Sequence, residues 1–170
     1  MKVIEGMKLI KELQIKADDL RKKVSQYCAN LDFETPMYKD QKAQVDQWIQ
    51  AHTDIIQEIL KLRSRVQRTN IATIVEMTIG DKRVAKTIAE WIHRRKDLAN
   101  LDAAMWGALS DRGLKEQRVQ STVGGPVTEI KIRRYYDPVK RDEMVSLYKA
   151  EPGIIDRTLE VTNAVTDLLE

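Results

Sequence analysis

Lys61-Leu62-Arg63-Ser64-Arg65-Val66-Gln67-Arg68-Thr69-Asn70-Ile71-Ala72-Thr73 reads as the point where a long amphipathic helix runs into a polar, cationic turn. Upstream of it, Val45, Trp48, His52, Ile55, Ile59, Leu62 and Val66 recur at alternating steps of three and four, which keeps them on one helix face. Ile49, Ile56 and Leu60 widen the stripe beyond a two-helix seam, so the spacing predicts a helix over 40–68 that touches more than one partner. At its end Lys61, Arg65 and Arg68 share a face by i, i+4 and i+7 spacing, and Thr69, Asn70 and Thr73 add small hydrogen-bonding groups. Cations beside small polar side chains at a junction are the makings of an anion site.

A matching partner precedes this helix. Ile10, Leu13, Ala17, Leu20, Val24, Tyr27 and Leu31 predict a helix over 3–31 with a heptad-like seam, ended by the stretch from Asn30 to Pro36. Its outer face mixes Lys11, Glu12, Lys16, Asp18, Asp19, Arg21, Lys22 and Lys23, the pattern of a solvated surface. Two such helices joined by a short polar connection predict an antiparallel pair.

Downstream, Thr69 to Gly80 is rich in Thr and β-branched residues and reads as an extended or irregular linker, after which Asp81 is placed to cap a helix over 82–110. That helix puts Val84, Ile88, Trp91, Leu98, Met105 and Leu109 on one face together with Arg95 and Asp102. A lone charge buried there would cost several kcal/mol, so each needs an ion-pair partner or an aqueous cavity. One arrangement is interhelical ion pairing. The other is a ligand pocket in which Arg94 and Arg95 join Arg65 and Arg68.

After Asp111-Arg112-Gly113 the period changes to two. Val119, Ser121 and Val123 alternate before Gly124-Gly125, and Thr128, Ile130 and Ile132 after it, predicting a β-hairpin over 118–134 with the two glycines as its loop. Its apolar face needs a helix or another copy to cover it. Asp137-Pro138 opens a helix to Ala150, Glu151-Pro152-Gly153 breaks it, and a last helix follows over 153–169. The predicted fold is mainly α: one domain over 1–170, a long antiparallel helical hairpin or bundle with one β-hairpin and two C-terminal helices.

Composition agrees. With 42% hydrophobic and 32% charged residues but only 7 Gly and 4 Pro, the chain suits a helix-rich globular protein. A net charge of +3 is too small to argue for nucleic acid. The single cysteine, Cys28, excludes an internal disulfide and a cysteine zinc cluster. His52 on the apolar stripe has no companion at metal-ligand spacing, so neither metal nor cofactor is expected. With no signal-like N-terminus and no long apolar window, a cytoplasmic protein is expected, in the host cytoplasm if it is viral.

The order of motifs resembles a known family. Arg68-Thr69-Asn70 with Thr73, the Gly80-Asp81 break, Arg95-Lys96-Asp97-Leu98, Glu129-Ile130-Lys131 and the terminal Ile155-Asp156, Asn163 and Thr166-Asp167-Leu168 resemble the small bacterial and phage-associated septicolysin-like proteins. Where the family pattern has tryptophan after the terminal asparagine, this chain has Ala164. The family name implies a cytolysin, but no long alternating segment supports a membrane hairpin. The resemblance adds weight to Arg68, Thr69, Asn70 and Thr73 as a unit.

No phosphate-binding glycine loop, nucleophile elbow or metalloprotease helix is present in the sequence, and Glu76 with Asp81 is an acid/base pair only if the fold joins them. The expected function is therefore non-catalytic. The first expectation is a homo-oligomer binding a small anionic, nucleotide-like ligand between helices, with sequestration as one option, through Arg65, Arg68, Thr69, Asn70, Thr73, Arg94, Arg95 and Asp102. The second is a phage or bacterial assembly protein working through helix and hairpin contacts. A nucleic-acid role through Lys61, Arg63, Arg65 and Arg68 together with Arg94, Arg95, Lys96, Lys131, Arg133 and Arg134 is a third, and no membrane partner is expected.

Overall fold

The structure, a computed structural model, describes residues 1–120 and 122–170. The elements are α1 (Val3–Tyr27), α2 (Gln41–Ala72), β1 (Ile74–Ile79), β2 (Lys82–Thr87), α3 (Ile88–His93), a π-helical turn (Arg94–Leu98), α4 (Ala99–Gly107), β3 (Gln117–Gln120), β4 (Val127–Ile130) and α5 (Pro138–Val165). The chain is mainly α, as its periodicities predict. It divides into two compact units, one made of Met1–Val75, Thr87–Ala89 and Thr158–Glu170, the other of Glu76–Lys86 and Glu90–Arg157.

The first unit is built on the α1–α2 pair. Leu13 of α1 buries against Ile59 and Leu62 of α2, with Leu9, Ile10 and Ile55 packed around them. Each such side chain taken from water contributes about 1.5–3 kcal/mol. Beyond this cluster Tyr27, Tyr38 and Trp48 meet edge to face or tilted, with centroids 5.4–6.0 Å apart. The Asp40 carboxylate caps α2 by accepting from Ala43 N at 2.9 Å, and Gln41 Nε2 donates to Tyr27 O at 2.8 Å, joining the two helix ends.

The end of the chain closes this unit. Val3 N donates to Thr166 O and Leu168 N to Met1 O, both at 2.9 Å, while Lys2 Nζ reaches Asp167 Oδ2 and Val165 O at 2.8 Å. Gly6 lets the segment approach, since a Cβ there would stand 2.6 Å from Leu168 Cδ1. The Lys2 ammonium holds the Asp167 carboxyl below its ordinary range.

Several elements differ from the sequence expectation. Arg68 to Ala72 continue α2 rather than turning away, because Thr73 N donates to Thr69 O at 2.9 Å and extends the ladder. Residues 74–79 are a strand rather than a linker, and 82–87 are its antiparallel partner rather than a helix start. Gly80 and Asp81 form the turn between them, so Asp81 caps nothing; Gly80 takes φ 60°, a conformation glycine adopts without a Cβ clash. Among the described residues there are thus two β-hairpins.

The predicted C-terminal break is absent. α5 runs unbroken through Pro152, although a proline inside a helix removes one ladder bond and costs about 3 kcal/mol. Its neighbours hold it: Glu151 is 2% exposed and Ile155 0%, so the turns on either side of the proline are fixed by burial.

The hairpin near 118–134 is present, with Gln117 opposite Ile130, Val119 opposite Thr128 and Gln120 opposite Val127. Val119, Thr128 and Ile130 share a face as predicted; Ser121 lies outside the described residues. The loop is displaced by one residue: Gly125 N donates to Thr122 O at 3.0 Å, so Val123 and Gly124 are its central pair, and Gly124 has φ 81°. A turn of that kind needs positive φ at its third residue, which selects Gly124. All residues of both strands are exposed.

Candidate functional site

The basic end of α2 is mostly occupied by the protein itself. Thr69 is fully buried; its hydroxyl donates to Arg65 O at 2.9 Å and accepts from Leu169 N at 2.9 Å. Arg65 Nε donates to Leu169 O at 3.0 Å. Two of the predicted ligand contacts thus grip the C-terminal segment. Thr73 is half-buried, its backbone joined to Thr69 O and Ile88 N. Asn70 Oδ1 is buried without a hydrogen-bond partner, and so is Asn163 Oδ1. Arg68 is exposed, and among the described residues it makes no ion pair.

Arg94, Arg95 and Asp102 belong to the second unit, and there each charge has a partner. Arg94 holds Glu151 in a fork, Nε to Oε1 at 2.7 Å and Nη2 to Oε2 at 2.6 Å, while its Nη1 donates to Asp102 Oδ2 at 2.6 Å. Its guanidinium lies 5.6 Å from the Tyr148 ring centroid, and Glu151, then Asp102, raise its pKa further above the ordinary arginine value. Arg95 pairs with Asp156 at 2.7 Å. The π-helical turn lets two consecutive arginines both reach carboxylates of α5.

Glu151 is the residue that sequence reasoning missed. Reading Glu151-Pro152-Gly153 as a break put it in a loop, yet it stands four residues after Leu147 and four before Ile155, both within the second unit. That spacing was the available signal.

The same residues floor a cleft of about 640 Å³ within the second unit. One wall is β2, where Lys82, Val84 and Lys86 alternate onto the cleft side, with Ile79 and Gly80 beside them; the other is α5, with Glu143, Met144, Leu147 and Tyr148. Trp91 and the Arg94–Glu151 pair lie at the base. Lys82 is exposed and Lys86 half-buried, and neither makes an ion pair among the described residues. On the opposite face of the hairpin Arg83 pairs with Glu76 at 3.0 Å, while Asp81 lines the cleft.

Elsewhere, the cations of the second hairpin are largely matched. Arg118 and Lys131 pair with Glu129, and Arg134 grips Asp111, which also accepts from Tyr136 OH at 3.0 Å. Arg134 holds the Asp111 carboxyl below its ordinary range. In the first unit a shallow groove of about 440 Å³ runs between α1 and α2 over Ala17, His52, Ile56, Ile59 and Leu60. Among the described residues no three His, Cys, Asp or Glu side chains are grouped to hold a metal ion, and no helix is long and apolar enough to cross a membrane.

No protein-family model matches the chain, and no curated protein matches it. Among solved structures it is similar to that of a functionally unknown conserved protein from Corynebacterium diphtheriae, at 18% identity over 99% of both chains with a TM-score of 0.58. The likeness is one of fold.

Proposed function

We propose that the protein is a homo-oligomeric helical protein that acts through subunit contacts rather than through catalysis. The observation that carries this is the apolar flank of α2 beside its contact with α1, where Ile49, Ile56 and Leu60 remain 50%, 43% and 57% exposed at seven- and four-residue spacing and the last two border the α1–α2 groove. A helix that has already packed one face on α1 and still presents an exposed apolar flank has the pattern of a helix with two neighbours. Val119 and Ile130, on one face of the second hairpin, add further exposed apolar side chains.

Light scattering on the eluting protein tests the proposal. A defined oligomer that Ile56→Asp or Leu60→Glu splits, with unchanged helical content, supports it; a monomer at micromolar concentration overturns it.

A second reading, capture of a small anionic, nucleotide-like ligand, is favoured by Arg68, which like Lys61 and Arg63 is exposed and makes no ion pair among the described residues. Isothermal titration of nucleoside monophosphates against wild type and Arg68→Ala tests it, and binding that is equal in both sinks it. We also propose, on the motif residues alone, that the chain is a septicolysin-like protein.

A further inference from the structure

We infer that the cleft between β2 and α5 is a binding site for a small organic anion with an apolar body, separate from the α2 end and from the apolar flank of α2. Three observations carry it. The cleft, about 640 Å³, has the size of small-ligand pockets and is formed within one compact unit, so it needs no second copy. Its β2 wall carries Lys82 and Lys86 four positions apart on one face of the strand, with Val84 between them; Asp81 lines the cleft next to Lys82, and neither lysine makes an ion pair among the described residues. Its α5 wall offers Met144 and Leu147 as apolar contacts.

The base of the cleft is already built. Arg94 spends its guanidinium on Glu151 and Asp102, so it forms a rigid polar floor and is not the anion's main partner. The remaining lysines are long, flexible point charges, suited to a carboxylate, sulfonate or phosphate of varied geometry. Glu143 on the α5 wall, which makes no ion pair among the described residues, and Asp81 beside Lys82 also line the opening. They disfavour a ligand charged along its whole length and favour one whose single anionic group sits towards Lys86.

The probe is anilinonaphthalene sulfonate, an aromatic sulfonate whose emission rises on binding, titrated into the full-length protein and then competed with octanoate or octan-1-ol. One saturable site is expected, displaced by octanoate and not by the neutral alcohol. Lys82→Gln with Lys86→Gln should weaken it about tenfold or more, as the loss of charge-assisted contacts implies. Glu143→Gln should strengthen it, and Arg83→Gln, on the other face of the hairpin, should leave it unchanged. The Ile56→Asp chain separates this site from the oligomer interface: binding retained there supports the cleft, and binding lost there assigns the dye to the interface and overturns the inference. Equal affinity for wild type and the double lysine variant, or no saturable binding by wild type, also overturns it.

Discussion

Arg94 and Asp102 stand eight residues apart in the chain, and Nη1 of the one lies 2.6 Å from Oδ2 of the other. In a regular α-helix eight residues end roughly 80° off the starting face, whereas seven return to within about 20° of it. The π-helical turn Arg94–Leu98 takes up one extra residue and restores the alignment. The same residue shifts the buried face: Ile88 and Trp91 before the turn are continued by Ala99 and Ala103 after it, leaving Leu98 at 41% and Met105 at 75% exposure.

Shortening that turn tests its role. Deleting Lys96 should convert it to regular helix and keep Ala99 and Ala103 in register, losing only the exposed Arg95–Asp156 pair at about 0–1 kcal/mol. Inserting an alanine after Ala99 instead should rotate α4 away from its buried face and unfold the second unit at far lower denaturant. Urea midpoints of the two variants check the contrast.

The Arg94–Glu151 fork should be worth more than the Arg94–Asp102 contact, because the Glu151 side chain is 3% exposed and that of Asp102 44%. Glu151→Ala removes both bonds of the fork and leaves Arg94 only its Asp102 partner, and should cost about 1.5–3 kcal/mol, against about 1 kcal/mol or less for Asp102→Ala. Equilibrium unfolding of both variants decides the order.

Thr69→Val should destabilise the protein by about 1–3 kcal/mol, since it leaves the Leu169 amide without its acceptor at a fully buried hydroxyl. Hydrogen exchange at Leu169 should quicken in the same variant. A Thr69 that served mainly to contact ligand would leave both quantities as they are.

Acid should weaken α1 locally. Lys22, then Arg21, hold the Asp18 carboxyl down from 3.8 to about 2. Its folded-state pKa is therefore depressed, so its contribution is full above the unfolded value near 3.8 and is lost as pH falls through about 2. Carboxyl-carbon NMR titration should place the Asp18 midpoint well below those of unpaired aspartates, and Lys22→Ala with Arg21→Ala should return it to the ordinary range.

How far the sequence could be read depended on regular periods. The α1–α2 pair was legible because Leu13, Ile59 and Leu62 repeat at uninterrupted helical steps. The 82–110 segment was not, for two physical reasons. Lys82 to Thr87 carry only two apolar residues, and strand pairing with β1 overrides their weak local preference. The π-helical turn adds one residue and moves every later side chain, so Leu98 stood where Ala99 belongs. The basic end of α2 was recognised as a cluster, but its partner, the segment around Leu169, lies a hundred residues away, and pairing at that distance leaves no local mark.

The lacing of Met1–Val3 to Thr166–Leu168 also bears on the order in which the chain completes itself. The first unit takes material from both ends of the sequence, so during synthesis α1 and α2 can pair early while their closing segment does not yet exist. Contacts spanning more than 160 residues come late because the intervening loop must first be shortened by other structure. Until then Thr69 and the start of α1 stay uncovered, and the nascent protein passes through an interval in which its first helix pair waits for the segment that follows α5.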